Sequence, residues 1–165
     1  MITALRYHDI SCGHRVVGHE GKCANLHGHN YRIHFHCVSP SLDPVGRVID
    51  FGTIKSRLCQ WLEDNWDHRF LMWDKDPMLQ DLKVLDPTLK VVPFNPTAEN
   101  IAEYLLCVIG PQQLKDTPWI TLNFVQVDET RKCSASADLS REVHVMDFPT
   151  LADPGLVISA FRHEV

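Results

Sequence analysis

Cys23-Ala24-Asn25-Leu26-His27-Gly28-His29-Asn30-Tyr31 sets a thiol and two imidazoles within seven residues. The run that follows, residues 29–39, alternates cleanly. Tyr31, Ile33, Phe35 and Cys37 fall on one face and Arg32, His34 and His36 on the other, the pattern of a half-buried strand. On an extended chain His27 and His29 project to the same side, and Gly28 between them carries no side chain. Two neutral imidazoles fixed on one face begin a zinc site. Cys23 is close enough to be a further ligand or a reactive thiol beside a dication. His34 and His36 lie on the opposite face and read as a solvated or interface surface.

Outward from this stretch, residues 2–10 suit a strand. Residues 11–26, with Gly13, Gly18 and Gly21, read as a long loop that has His14 near its start. Long loops inside compact domains usually carry function. Residues 40–47 are a turn region, and Val48-Ile49-Asp50 ends a short strand. Phe51, Ile54, Leu58, Trp61 and Leu62 recur at helical spacing, which predicts an amphipathic helix over 51–65 with Asp50 as its N-cap. Trp66-Asp67-His68-Arg69-Phe70-Leu71 follows, and on its own Asp67-His68 reads as a helix C-terminal cap. Residues 74–90 read as loop with a short helix around 78–82, and residues 89–94 as a brief strand. Asn95-Pro96-Thr97 opens a second helix, striped by Ile101, Ala102, Leu105, Leu106 and Ile109 and stopped by Gly110-Pro111. Residues 119–129 form a long β run, 132–137 its hairpin partner, and 141–146 one more strand. The order β, β, α, α, β, β predicts an α+β domain with an antiparallel sheet and both helices in the middle.

Composition narrows the class. At 165 residues the chain is most simply one domain, 1–165, with an unassigned C-terminal extension from about 138. Its apolar fraction of 44% and charged fraction of 22% are those of a water-soluble globular protein. No apolar run reaches the ~18 residues of a membrane span, and Met1–Arg6 does not begin a signal peptide. The expectation is a cytoplasmic protein with no membrane partner. A formal net charge of −5 argues against a nucleic-acid partner, yet leaves room for local cations facing an anionic small molecule. The six cysteines have no C-x-x-C pair and read mostly as small buried hydrophobes.

Six motifs then fall in order: Ile10-Ser-Cys-Gly-His14-Arg15, Cys23 to Tyr31, Gly46-Arg-Val-Ile-Asp50-Phe51, Trp66 to Leu71, Pro96-Thr97-Ala-Glu99-Asn100 and Asp128-Glu129-Thr130. Together they resemble the 6-pyruvoyl-tetrahydropterin synthase superfamily, and within it the bacterial 6-carboxy-5,6,7,8-tetrahydropterin synthases. The resemblance implies a tunnelling fold: a four-stranded antiparallel sheet of two hairpins, with two helices between them on one face. It implies self-association into a homohexamer, a dimer of trimers with active sites between subunits. His14, His27 and His29 are then the Zn2+ ligands, which leaves a position open for substrate oxygens. Cys23 matches the catalytic cysteine, and Asp67 with His68 the pair that relays protons with it. Glu129 matches the glutamate that grips the 2-amino-pyrimidinone edge of the pterin and joins the proton relay. Thr97 and Glu99 match positions lining the pterin pocket.

The activity implied is a zinc-dependent lyase. It converts 7,8-dihydroneopterin triphosphate to 6-carboxy-5,6,7,8-tetrahydropterin, acetaldehyde and triphosphate, a step towards 7-deazaguanines such as queuosine. The spacing C-x-x-x-H-G-H resembles this carboxy branch. The alternatives are the pyruvoyl branch, which stops after triphosphate elimination, and a catalytically silent zinc- or pterin-binding homologue. Arg15, Lys22 and Arg69 are candidate cations for the triphosphate by charge and proximity in sequence. The chain departs from the family in a long segment 72–94, in the residues after 138, and in Ala98, where many members carry Ser or Thr.

Overall fold

The alternating stretch becomes the middle of a sheet because both of its edges find partners. In the computed structural model, which describes residues 2–139, β1 (Thr3–His14) pairs antiparallel with β2 (His27–Val38), Thr3 opposite Val38 and His14 opposite His27. On its other edge β2 pairs with β5 (Thr121–Asp128), which in turn pairs with β6 (Ser134–Asp138), both antiparallel. These are the two hairpins expected from the sequence. The register shifts between His36 and Cys37, which pair with Phe124 and Leu122, so Asn123 is an extra residue that bulges β5.

Two further strands extend the sheet. β3 (Arg69–Trp73) lies parallel to β1, and β4 (Lys90–Val92) parallel to β3, so the order is β4-β3-β1-β2-β5-β6. The expectation of four strands therefore holds for the hairpins and is exceeded at the β1 edge. Phe70, Leu71 and Met72 form an unbroken apolar run without alternation, as in strands covered on both faces. Leu71 and Met72 are fully buried.

Between the hairpins the chain forms two long helices. The first covers residues 51–65: Asp50 caps it by accepting the Gly52 N–H at 2.7 Å, and a π turn (Lys55–Cys59) interrupts it. The second covers residues 98–113, capped by the Thr97 hydroxyl and carrying its own π turn (Leu105–Ile109). Gly110-Pro111 does not stop it. The widened turn just before Pro111 accommodates a residue that has no N–H to donate, and the helix continues to Gln113. Glycine suits position 110, because a Cβ would sit 2.6 Å from the Leu122 side chain on β5, which would have to shift.

Both helices lie on one face of the sheet. Tyr31, Ile33, Phe35 and Cys37 from β2 share a buried core with Ile54, Leu58 and Leu62 of the first helix and Ile101, Leu105 and Leu106 of the second. The other face is polar. Arg32 there makes a two-pronged contact with Asp9 (2.7 and 2.9 Å), and His34 pairs with Asp128 at 2.8 Å. That is the surface role expected for His34.

Other boundaries move for local reasons. Ser11 to His14, read as loop, continue β1 because each has a partner on β2, from Asn30 to His27. Pairing overrides their weak strand propensity and shortens the loop to 15–26. Gly13 and Gly28 face each other at this end, where a Cβ on Gly28 would lie 3.0 Å from the Cys12 carbonyl. Val48 and Ile49 are buried but join no strand. The segment after β3 holds a short helix (Leu79–Leu85), a little beyond where the sequence placed it. The strand read over 141–146 lies outside the described residues, as does the C-terminal extension beyond Leu139.

Phe35 is 1% exposed at the centre of this packing. Phe35→Ala is expected to cost about 3–5 kcal/mol of stability, read as a lowered urea midpoint; a loss below about 1 kcal/mol would contradict this core assignment.

Candidate metal centre

His14 at the end of β1 and His27 at the start of β2 are direct cross-strand partners, and His29 lies two residues along β2. Pleating puts all three imidazoles on the helix-bearing face, where one ring nitrogen from each falls within 4.8 Å of the others. His14 is 1% exposed. Its Nδ1 lies 2.7 Å from the Pro96 carbonyl, and the His27 Nδ1 lies 2.8 Å from the Asn25 carbonyl. A carbonyl only accepts, so each Nδ1 carries the proton and each Nε2 presents a lone pair. This is the outer-shell arrangement that orients metal-binding histidines. The His27 Nε2 is buried with no hydrogen-bond partner, as a nitrogen meant for a metal would be. Burial, opposed by the Pro96 hydrogen bond, lowers the pKa of His14. It also lowers that of His29, which favours the neutral form a metal requires. The donor set fits a divalent metal ion.

Glu129, just beyond β5, reaches the same place. Its Oε1 is 3.7 Å from the His14 Nε2, 3.9 Å from the His29 Nε2 and 3.5 Å from the Tyr31 hydroxyl. Tyr31 is 2% exposed, and burial, reinforced by the nearby Glu129 charge, raises its pKa strongly, so the phenol stays a donor. Nothing in the sequence marks Tyr31 as a polar neighbour of the centre, because its ring serves the core.

Asp67 and His68 are not a simple helix cap. The Asp67 Oδ1 accepts the Ser11 N–H at 2.8 Å, while the His68 N–H donates to the Ser11 carbonyl at 2.7 Å. This two-way contact with β1 places the pair at the head of β3. It holds His68 in the left-handed region, with φ of 53°. The Asp67 Oδ2 takes the Nδ1–H of His68 at 2.7 Å, which leaves the His68 Nε2 facing out. Burial disfavours the Asp67 charge, but the bonds from Ser11 and His68 outweigh it and lower the pKa below the ordinary value. His68, His29 and Glu129 line one open groove of about 730 Å³, together with Asn30, Arg32 and Arg131.

The remaining sequence candidates are placed as follows. Cys23 is half-buried in a short 3-10 turn (Lys22–Ala24); it is not part of the three-imidazole cluster and does not line the groove of His68. The Thr97 hydroxyl is taken up in capping the second helix, and Glu99 is exposed in its first turn. Arg15 is engaged with Asp76 at 3.4 Å and with Met78, which withdraws it from the candidate cations. Arg69 lines a cavity beside His68.

Residues 4–140 match the family described as 6-pyruvoyl tetrahydropterin synthase. The chain belongs to this family. A 6-carboxy-5,6,7,8-tetrahydropterin synthase of Rickettsia typhi is 35% identical over 135 residues, 81% of this chain and 97% of the relative. The enzyme of that name from Haemophilus influenzae is 31% identical over 79% of this chain and 94% of its own length. Among solved structures, an uncharacterized protein of Wolinella succinogenes superposes with a TM-score of 0.73 at 22% identity, covering 84% of this chain and 98% of that one, and so shares the fold. No helix among the described residues is long and apolar enough to cross a membrane.

His14→Ala, His27→Ala and His29→Ala should each lose the metal on dialysis against a mild chelator, while the parent protein retains about one equivalent per chain. Metal analysis reads this directly. Asp67 also predicts a pH dependence. Its folded pKa lies below the unfolded value of about 3.9, so its contribution is complete above that value and is lost as pH falls through the folded pKa. Unfolding curves taken from neutral pH downward should show the parent's advantage over Asp67→Asn constant at first, then shrinking below about pH 4.

Proposed function

We propose that the protein is a zinc-dependent lyase acting on 7,8-dihydroneopterin triphosphate to give 6-carboxy-5,6,7,8-tetrahydropterin, acetaldehyde and triphosphate. The observation that carries this reading is the cluster of His14, His27 and His29, each available nitrogen turned inward, with the Glu129 carboxylate beside it. The chain's similarity to enzymes named for that product supports the substrate. So does the C-x-x-x-H-G-H spacing at Cys23.

The three imidazoles would hold zinc, whose chemistry is to polarise side-chain oxygens of the substrate and acidify the adjacent C–H bonds. Glu129 would accept two parallel N–H bonds from the amino-pyrimidinone edge of the pterin. A ring held by that carboxylate has its reacting side chain close to the histidines. Asp67 fixes the proton of His68 on Nδ1, so the Nε2 is free to take and return protons. Cys23 would be the partner that removes a proton as its thiolate. Triphosphate then leaves, and cleavage of the shortened side chain with uptake of water releases acetaldehyde.

Within one chain Cys23 does not line the groove shared by His68, His29 and Glu129. That favours an assembly in which neighbouring subunits complete the site, and a homohexamer built from two trimers is part of the proposal. Thr97, as a helix cap, would support the pterin pocket through backbone placement, with Glu99 at its rim. The setting proposed is the cytoplasm, where thiols stay reduced and the six cysteines need no pairing.

Incubating the zinc-loaded protein with 7,8-dihydroneopterin triphosphate tests this. Triphosphate and acetaldehyde should form in equal amounts, and Cys23→Ala should slow both by roughly 10²–10⁴-fold. Triphosphate without acetaldehyde would move the activity to the pyruvoyl branch. No turnover by metal-loaded protein would leave a zinc- or pterin-binding role.

A further inference from the structure

The loop that carries Cys23 has little regular structure of its own. Its main internal tie is the Val16 N–H, which donates to the Cys23 carbonyl at 2.8 Å. The next residue, Val17, is gripped from outside. Its N–H donates to the Asn95 Oδ1 at 2.9 Å, and its carbonyl accepts the Asn95 Nδ2 at 2.9 Å. One carboxamide thus serves both backbone groups of Val17, as a neighbouring strand residue would, across 78 positions of sequence.

Asn95 is itself held firmly. Its carbonyl accepts the Thr97 N–H at 2.7 Å and the Asn100 Nδ2 at 2.8 Å, which ties it to the start of the second helix. The next carbonyl in the chain, that of Pro96, takes the Nδ1–H of His14 at 2.7 Å. Two adjacent residues therefore hold the first metal-site histidine with one hand and the thiol loop with the other.

We propose that Asn95 is a positioning residue for the Cys23 thiol, setting the loop at a fixed place relative to the metal centre. The inference rests on the reading that Cys23 acts in the reaction. The chemistry requires asparagine specifically. Aspartate has the same shape but would set a carboxylate oxygen against the Val17 carbonyl and lose the donor. Alanine loses both bonds, and glutamine is longer by a methylene. A residue kept only for packing would tolerate the isosteric aspartate; a two-way clamp would not.

The test uses the zinc-loaded full chain and its Asn95→Ala and Asn95→Asp variants. Backbone hydrogen exchange, resolved by mass spectrometry, should quicken by roughly tenfold over residues 15–24 in both variants. Residues 27–38 and the zinc content should not change. Turnover of 7,8-dihydroneopterin triphosphate should fall by roughly 10- to 100-fold in kcat with KM nearly constant. Unchanged exchange over 15–24, or a full kcat in Asn95→Asp, would overturn the proposal. If the parent protein does not turn over this substrate, the reading of the reaction fails separately. The alkylation rate of Cys23 relative to exposed Cys133 then decides about Asn95: the clamp predicts a ratio that moves towards one in both variants, and an unaltered ratio refutes it.

Discussion

The pairing of His14 with His27 across β1 and β2 is the constraint on which the site depends. Strand side chains alternate with a period of two, so a slip of one residue in this hairpin would leave His14 on one face and His27 and His29 on the other. The register is protected at both ends. At one end Gly13 lies opposite Gly28, where a Cβ on Gly28 would crowd the Cys12 carbonyl of β1 and a Cβ on Gly13 would run into Phe70 of β3. Further along, Tyr31, Ile33 and Phe35 have only one face on which they can be buried. The apolar core thus specifies, through register, where three imidazoles stand.

The second helix completes what the hairpin begins. Its entry segment delivers the Pro96 carbonyl to His14 and the Asn95 side chain to the loop of Cys23. Its Thr97 cap keeps that segment from fraying. The first helix ends just before Trp66, and the chain turns at His68 to lay Asp67 against Ser11 of β1. His14 and Asp67 are therefore each fixed by a backbone group belonging to another segment of the fold. That is the kind of support that holds reacting groups in place without reorganisation. The inserted segment after β3 is joined to the same region, because Asp76, its side chain fully buried, faces Arg15 immediately after His14.

Much of this was legible in the sequence. The 3.6-residue spacing of Phe51 to Leu62 and the alternation after His29 gave the helix and the strand on periodicity alone. Histidine spacing gave two ligands; His14 needed the family resemblance, since nothing local shows that residues 11–14 continue a strand. Their ladder is non-local, and weak formers such as Ser11 and Gly13 give no sign of it. The apolar run of β3 lacked alternation, so it could be told from a helix end only by its neighbours. Pro111 misled because the tolerance comes from a π turn, a feature with no sequence signature. Asn95 was read as a helix opener when its side chain holds a loop 78 residues away, a contact that only the tertiary structure creates.

The central claim is that three histidines make the metal centre and leave the thiol of Cys23 free for proton transfer. X-ray absorption at the zinc edge of the loaded protein tests it most directly. The account predicts a first shell of nitrogen and oxygen at about 2.0–2.1 Å, with the outer scattering of three imidazoles and no sulfur. A sulfur scatterer at about 2.3 Å would make Cys23 a ligand and remove it from the chemistry proposed here.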